Sequence, residues 1–309
     1  MGRSATRPTA FRLADWRGVL GRVWTRIGEH NLSLLAAGIA FWGVLALFPA
    51  IAALVSLYGY LADPANIAAT LETIRPFLPA EVHAAVEAQL AALTAARPAA
   101  LGTASLLSLL FALWSARNGV SAMIQGLNVA YHEKDTRGVV ASTAVTLLLT
   151  VLLIGLVMIA LIALVVVPAL INLLPIGPLA EWTARLARWP ILAAAAVGGV
   201  ALLYRYGPQR KNAKMRWISW GAVLAVALWL VASVLFSYYA ANFANYNVTY
   251  GSLGAMVVLL TWFYISAFVV LAGAQLDAEM ELQTARDTTT GREKPMGERG
   301  AFVADHVAD

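Results

Sequence analysis

The chain has 309 residues, 60% of them hydrophobic and 13% charged, with a formal net charge of +5 at pH 7 and no cysteine. Because a soluble chain carries about 45–50% apolar and about 25% charged residues, this composition predicts a polytopic membrane protein. The absence of cysteine excludes a disulfide, a thiolate nucleophile and a cysteine-ligated metal. We expect an all-α fold with six transmembrane helices and both termini in the cytoplasm.

The first 30 residues predict a cytoplasmic tail followed by an interfacial amphipathic helix. Residues 1–10 are predicted to be disordered. From residue 11 to 27, apolar side chains that include Trp16, Leu20 and Trp24 recur at helical spacing, with arginines on another face. This pattern is typical of a helix at the membrane surface, and a cytosolic helix packed on the body of the protein is the alternative. No signal-peptide cleavage pattern is present, so we expect the first span to remain as an uncleaved anchor.

A transmembrane domain over residues 31–282 is predicted by apolar runs long enough to cross the bilayer, which takes about 20 residues. The first run, residues 32–61, contains Pro49, which we expect to kink the helix. A polar extracytoplasmic insertion at 62–98, divided by prolines into short helical pieces, precedes a second span at 99–116.

The middle of the chain continues this alternation of apolar runs and polar connections. Residues 117–131 predict a separate amphipathic helix. The longest apolar run, 139–171, predicts a third span, which must tilt or bend because it exceeds the thickness of the bilayer core. A short fourth span is predicted at 190–206.

The last two spans lie in a stretch of sixty residues, Trp217–Leu276, that contains no Asp, Glu, Lys, Arg or His. They are predicted at 217–240 and 252–276, joined by an outward-facing polar hairpin. Ionisable groups inside spans mark proton and ion pathways, so this absence of charge argues against a typical proton-coupled carrier. Residues 283–309 are predicted to form a disordered cytoplasmic tail.

The basic residues set the predicted orientation. With six spans at these positions, 18 of the 22 Lys and Arg residues fall on the side of the termini. Loops rich in Lys and Arg stay in the cytoplasm, so both termini are predicted to be cytoplasmic. The net positive charge is explained as a topology signal, and we expect no nucleic-acid partner.

The sequence carries no motif of a known catalytic or cofactor site. It has no phosphate-binding glycine loop, dinucleotide signature, HExxH or G-x-S-x-G, and its four histidines are scattered without ligand spacing. A hydrolytic metal site would need clustered His and carboxylate groups. We therefore expect no enzymatic activity, no cofactor and no metal.

Two sets of residues are candidates for a functional role. Polar and aromatic groups in or beside the spans either contact a substrate or serve only helix packing and turns, and both alternatives stay open. This set is Asn31, Pro49, Trp114, Asn128, Tyr131, Tyr246, Tyr250, Gly251, Gln275 and Asp277. The second set precedes the fifth span and either attracts anionic headgroups or serves topology alone. Its members are Arg205, Arg210, Lys211, Lys214 and Arg216.

Four segments carry a resemblance to a known family: Asn31–Pro49, Ala112–Tyr131, Tyr204–Pro208 and Tyr246–Glu279. In order and spacing they resemble the YihY/BrkB family of bacterial inner-membrane proteins, once labelled ribonuclease BN. The resemblance implies a six-helix integral protein and a transport role, with movement of lipids or envelope precursors. The family pattern near the end of the last span is usually Gly-Ala-Glu-Leu-Asn, whereas this chain has Gly273-Ala274-Gln275-Leu276-Asp277, with an amide in place of the glutamate.

We expect a transporter or flippase-like protein for a lipid or another amphiphilic envelope molecule. A non-transporting membrane scaffold for envelope partners is the alternative. The expected partners are membrane lipids, anionic lipids among them, while a homo-oligomer and envelope proteins stay open. A nuclease would depend on acids such as Asp277, Glu279 and Glu281, and this interpretation is disfavoured because no metal-binding acidic cluster is present.

Overall fold

The computed structural model describes residues 5–61, 87–88, 98–161, 178–242 and 254–308, and over these residues it is helical, without a β-strand. A short 3₁₀ turn at Pro8–Ala10 comes first. The α-helices are α1 Leu13–Glu29, α2 Leu32–Leu61, α3 Pro98–Ala130, α4 Val139–Leu161, α5 Pro178–Tyr206, α6 Met215–Asn242, α7 Gly254–Leu282 and α8 Phe302–Asp305. The prediction of an all-α fold is confirmed.

Five of these helices are long and apolar enough to cross a membrane, which agrees with a multi-pass membrane protein. The apolar segments are Leu32–Ile51, Leu106–Ala130, Val139–Ala160, Trp220–Tyr239 and Met256–Leu282, and a shorter apolar helix covers Pro190–Tyr206. Many large apolar side chains on them are exposed, as expected where lipid replaces water around a helix. Parts of the predicted spans at 139–171 and 252–276, and nearly all of the 62–98 insertion, lie outside the described residues.

Helix α3 differs from the prediction of a span at 99–116 followed by a separate amphipathic helix at 117–131. The structure has one continuous helix, and its last turns pack into the protein rather than along a surface. Gly126 explains the close packing, because a Cβ at this position would lie 2.7 Å from Cδ2 of Leu271 on α7. A glycine at such a contact lets two membrane helices approach each other closely.

The described residues form two compact units. The large unit consists of Met1–Ala37, Val120–Tyr238 and Tyr264–Asp309, and the small unit of Gly38–Gly119 and Tyr239–Phe263. Within the small unit, the rings of Trp42 and Trp114 meet edge to face at 5.4 Å between centroids. The large unit contains α1, the end of α3, the end of α5, the start of α6 and the end of α7.

Both terminal segments are folded, which differs from the prediction of disordered tails at 1–10 and 283–309. Near the N-terminus, Ala5 and Phe11 are buried in an apolar cluster with Val19, Trp217, Leu276 and Met280. The sequence predicted disorder over residues 1–10, but among residues 5–10 Ala5 and Pro8 are buried.

The C-terminal segment is fixed mainly by hydrogen bonds rather than by an apolar core. Its backbone pairs with the α5–α6 connection, where Lys214 N donates to Thr288 O and Lys211 N to Gly300 O, both at 2.8 Å. The Asp305 carboxylate accepts from the backbone N–H groups of Gly297, Arg299 and Gly300, and these bonds lower the pKa of this carboxyl against the opposing effect of burial. Such side-chain caps leave no periodic pattern in a sequence, so the fold of this segment was not predictable from composition.

Candidate functional site

Four polar residues near the Leu282 end of α7 are fully or almost fully buried: Gln275, Asp277, Glu279 and Glu281. Residues four apart lie on the same face of a helix, and residues two apart lie on nearly opposite faces. Gln275 and Glu279 therefore share one face of α7, while Asp277 and Glu281 share the other. The polar side chains at this end of α7 therefore form two separate faces, and each face has its own hydrogen-bond partners.

The face with Gln275 and Glu279 is joined to α1. His30 Nδ1 lies 2.9 Å from the amide oxygen of Gln275, which can only accept, so this ring nitrogen is the donor. The Gln275 amide nitrogen donates to Glu279 Oε1 at 3.2 Å. Arg22 Nε then donates to the other carboxylate oxygen of Glu279 at 2.7 Å, and its Nη2 donates to Gln283 at 2.8 Å. Gln275 thus links two elements, and its neutral amide avoids a second carboxylate beside Glu279.

The opposite face of α7 contains a buried ion pair. One nitrogen of Arg210, Nη2, donates to both carboxylate oxygens of Glu281 at 2.8 Å, with the two side chains only 2% and 0% exposed. Thr288 of the C-terminal segment donates to the same carboxylate at 2.6 Å. Burial opposes the charge of the guanidinium, but the adjacent Glu281 carboxylate raises the pKa of Arg210 above its ordinary value. Arg210 is therefore charged and forms a buried ion pair with Glu281.

Asp277 shares this face but has no basic partner among the described residues. Its Oδ1 accepts a hydrogen bond from the backbone N–H of Gly221 on α6 at 2.8 Å, and its Oδ2 has no hydrogen-bond partner. Gly221 is required for this approach, because a Cβ there would lie 2.4 Å from the carboxyl carbon. On the same contact, a Cβ at Gly273 would lie 2.7 Å from Cβ of Ala225. Small residues therefore bring α6 and α7 together around the carboxyl group.

Two tyrosines and an asparagine complete this side of the cluster. The guanidinium carbon of Arg210 lies 4.7 Å from the ring centroid of Tyr131, whose ring is 6.5 Å from that of Tyr204. The Tyr204 hydroxyl donates to the backbone oxygen of Val270, so this tyrosine is satisfied. Asn128 Oδ1 accepts from the backbone N–H of Gln209 at 2.8 Å.

Four buried polar atoms in this group have no partner, and we call their side chains the polar cluster: Asn128 Nδ2, Tyr131 OH, Arg210 Nη1 and Asp277 Oδ2. The nitrogens of Asn128 and Arg210 can only donate a hydrogen bond, and the Asp277 carboxylate oxygen can only accept one. The Tyr131 hydroxyl can donate and accept. Buried polar groups in folded proteins are nearly always hydrogen-bonded to protein, water or a ligand. The four atoms of the polar cluster are therefore available to hydrogen-bond water or a polar group of another molecule.

Three of the four histidines meet beside the polar cluster, although the sequence suggested that they were scattered. The rings of His30 and His132 are 4.7 Å apart, His132 stacks on Phe302 at 5.2 Å, and Phe302 stacks on His306 at 4.0 Å. Burial, followed by the nearby His30, lowers the pKa of His132 to about 4. This stack joins α1, the end of α3 and the C-terminal segment.

The candidate headgroup-binding residues are not equivalent. Arg210 is neutralised by Glu281, and Lys214 Nζ donates to the backbone oxygen of Asp287 at 2.9 Å. The guanidinium carbon of Arg205 lies 5.5 Å from the ring centroid of its neighbour Tyr206. Lys211 is half-buried beside the C-terminal segment. The side chain of Arg216 lies outside the described part of the structure.

The other predicted residues are distributed along the chain. Asn31 has a φ of 50° and its backbone oxygen accepts from Leu34 and Leu35, so it begins α2. Pro49 lies inside α2, and Trp114 is half-exposed in the small unit. Tyr246, Tyr250 and Gly251 lie outside the described residues. Among the residues that the structure describes, no group of three or more His, Asp or Glu residues could hold a metal ion.

Sequence reasoning therefore identified three members of the polar cluster, Asn128, Tyr131 and Asp277, and gave Arg210 a different role. It missed the residues that surround them, notably Arg22, His30, Tyr204 and Gly221. A signal for Gly221 was present, because Gly221 and Ala225 form a small-x-x-x-small pattern of the kind that packs membrane helices closely. The contacts of Arg22 and His30 join residues more than 240 positions apart, and no local pattern reveals them.

Comparison with known proteins gives one family. The sequence profile of a family described as Virulence factor BrkB matches residues 23–297. YfkH of Bacillus subtilis, which is named as a ribonuclease-like protein, is 29% identical over 276 residues, which are 84% of this chain and 94% of that protein. A UPF0761 membrane protein of Tolumonas auensis is 39% identical over 98 residues, 31% of this chain and 32% of that protein. No solved structure matches the chain.

Proposed function

This chain belongs to the BrkB family of membrane proteins, and from this premise we propose that it is a transporter or flippase-like protein that moves a lipid or another amphiphilic envelope molecule. The observation that carries the proposal is the polar cluster, which leaves four polar atoms unpaired beside membrane-spanning helices. A bundle that served only as an anchor would gain nothing from such groups, because an unpaired polar group in a membrane costs several kcal/mol. Polar groups of this kind suit a headgroup, while exposed apolar helix faces suit acyl chains.

We further propose that the protein lies in the bacterial inner membrane with both termini in the cytoplasm. The distribution of Lys and Arg supports this orientation. On α1, Val19 is buried in the protein while Leu13, Leu20 and Trp24 are exposed. With exposed Arg17 on the same helix, this outer face suits contact with anionic lipid headgroups.

We do not assign an enzymatic activity to the cluster. The name of YfkH refers to ribonucleases, but here Glu279 is engaged by Arg22 and Glu281 by Arg210. Carboxylates that are neutralised by arginine are poor ligands for a catalytic divalent metal, because the guanidinium occupies the oxygens that the metal would use. The proposal therefore includes neither a cofactor nor a nucleic-acid partner.

Reconstitution into liposomes tests this function. Labelled anionic and zwitterionic lipids are placed in one leaflet, and their movement is expected to be faster with the protein than in empty liposomes. If a folded, reconstituted protein accelerates none of several lipid classes, transport is refuted and the alternative, a non-transporting scaffold for envelope partners, is favoured. Homo-oligomerisation or binding of an envelope protein would then be the activity to measure.

A pair of hydroxyl deletions connects this assay to the polar cluster. Tyr131→Phe removes the unpaired hydroxyl but keeps the ring beneath Arg210, so we expect lipid movement to slow roughly five-fold, the equivalent of one hydrogen bond of about 1 kcal/mol. Ser115→Ala is the matched control, since it also removes a buried unpaired hydroxyl, but in the small unit. If lipid moves at the same rate with Tyr131→Phe and with Ser115→Ala, the polar cluster does not take part in transport.

A further inference from the structure

Asp277 differs from the two other acidic residues at the end of α7. Glu279 pairs with Arg22 and Glu281 with Arg210, whereas Asp277 is held by one backbone N–H and has a free carboxylate oxygen. It is fully buried, and it lies within the apolar segment Met256–Leu282. An ionisable side chain inside a membrane span is costly and in general marks a site for a proton or an ion.

The groups around Asp277 favour water over a metal cation. The charged and titratable groups facing it are Tyr131 just after α3, Tyr204 from α5, Arg210 from the α5–α6 connection and Glu281 from α7. Helix α6 contributes the backbone N–H of Gly221. The unpaired atoms of Asn128 and Arg210 are donors, which repel a cation but bind a water oxygen. A buried water needs two to four polar partners, and the unpaired atoms of the polar cluster are available for that role.

From this arrangement we propose that Asp277 is a proton-binding site of the protein, served by water molecules that Tyr131, Asn128 and Arg210 hold. A hydronium ion formed at the bound water transfers its proton to Oδ2 and becomes water, giving a neutral carboxylic acid that keeps its Gly221 hydrogen bond through Oδ1. On release, the proton passes from Oδ2 to the bound water, which becomes hydronium, and the carboxylate forms again. The inference rests on the proposed function and deepens it by naming the proton as the coupling ion.

Infrared spectroscopy of the full-length protein in lipid nanodiscs tests proton binding without any substrate. As the pH is lowered, a carbonyl stretch of one buried carboxylic acid is expected to appear, and Asp277→Asn is expected to abolish it. The asparagine keeps an oxygen for the Gly221 N–H, so the fold is expected to persist. Asp135→Asn, a partly exposed carboxylate paired with Arg137, is the control and should leave this band unchanged. Spectra of Asp277→Asn that equal those of the unchanged protein at every pH would overturn the proposal.

A second measurement separates proton binding from a purely structural role. Tyr131→Phe is expected to slow hydrogen–deuterium exchange of the Asp277 band, because one group that holds the relaying water is lost. A structural carboxyl would exchange at the same rate in both proteins, and that result would also overturn the proposal. Lipid movement under a pH gradient distinguishes this inference from the proposed function. If Asp277→Asn moves lipid as fast as the unchanged protein, proton coupling alone is refuted. If the carbonyl band of Asp277 is present but no lipid is moved, the proposed function alone is refuted.

Discussion

Glu281 and Asp277 lie one turn apart on α7, and their surroundings assign them different tasks. Glu281 accepts from Arg210 and from Thr288, so its charge is compensated inside the protein. Asp277 accepts one backbone hydrogen bond and keeps a free oxygen. Two carboxylate side chains on the same helix face can thus differ, one being compensated inside the protein while the other keeps a free oxygen.

The Arg210–Glu281 pair is expected to show the energetics of a buried ion pair. Arg210→Met leaves the Glu281 carboxylate buried without compensation, which typically costs about 3–5 kcal/mol, and we expect a marked loss of stability in detergent. Thermal unfolding followed by tryptophan fluorescence measures this loss.

The double variant Arg210→Met with Glu281→Leu is the control for that prediction. Replacing both partners by apolar groups of similar size removes the uncompensated charge, so most of the lost stability should return. If the single and double variants are equally unstable, packing around Arg210 rather than charge compensation is responsible. Unchanged stability in the single variant would contradict the burial of the pair.

Residue types and spacing predicted part of this site. Asn128, Tyr131 and Asp277 were predicted as candidates because they are polar or aromatic groups in or beside the predicted spans. The role of Arg210 was not visible, since a basic residue beside a membrane span is first explained by topology. Its partner Glu281 is 71 residues away, and only the folded chain shows which of five neighbouring basic residues it selects.

At the level of elements, the close contact of α6 with α7 depends on glycine. The carboxyl of Asp277 reaches the α6 backbone only because Gly221 has no side chain, and Gly273 faces Ala225 on the same contact. Apolar periodicity predicts that such helices exist and roughly where they end, as the agreement between 217–240 and Met215–Asn242 illustrates. It does not predict which faces meet, because every face of a membrane helix is apolar.

Gly221→Ala tests this contact. The added Cβ would lie 2.4 Å from the Asp277 carboxyl carbon, so α6 and α7 must separate, at a cost of about 1–3 kcal/mol for an overpacked site. Gly198→Ala on α5 is the matched control, because nothing lies within 4 Å of a Cβ there and alanine favours a helix over glycine. We expect a lower unfolding temperature for Gly221→Ala and an equal or higher one for Gly198→Ala. The reverse order would contradict the contact.

At the level of the molecule, distant parts of the chain converge on one region of the large unit. The α1 helix reaches it through Arg22 and His30, the end of α3 through His132, and the C-terminal segment through Thr288 and Phe302. These contacts explain why two polar terminal segments are ordered although neither has the composition of a core. The N-terminal and C-terminal segments therefore pack against the end of α7 rather than extending freely from the membrane domain.

The histidine stack in this region makes stability depend on pH. The pKa of His132 is about 4 in the folded chain, below the ordinary value of 6.5, because burial and then His30 disfavour its charged form. His30, Arg26, Glu29 and His306 are the ionisable groups around it. The unfolded chain therefore binds more protons than the folded chain between these two pKa values, and the stabilisation is present above about pH 6.5 and lost as the pH falls toward 4.

His132→Asn isolates this contribution. His132 has a φ of 58°, in the left-handed region that asparagine tolerates well, so the backbone of the turn is expected to persist. The unfolding temperature of the unchanged protein should fall steeply between about pH 6.5 and pH 4, and the variant should lose a clear part of that slope. Lys134→Asn, which changes an exposed side chain two residues further along the chain, is the control and should keep the slope. Equal slopes in all three proteins would show that His132 titrates alike in the folded and unfolded chains, in contradiction to its buried place between His30 and Phe302.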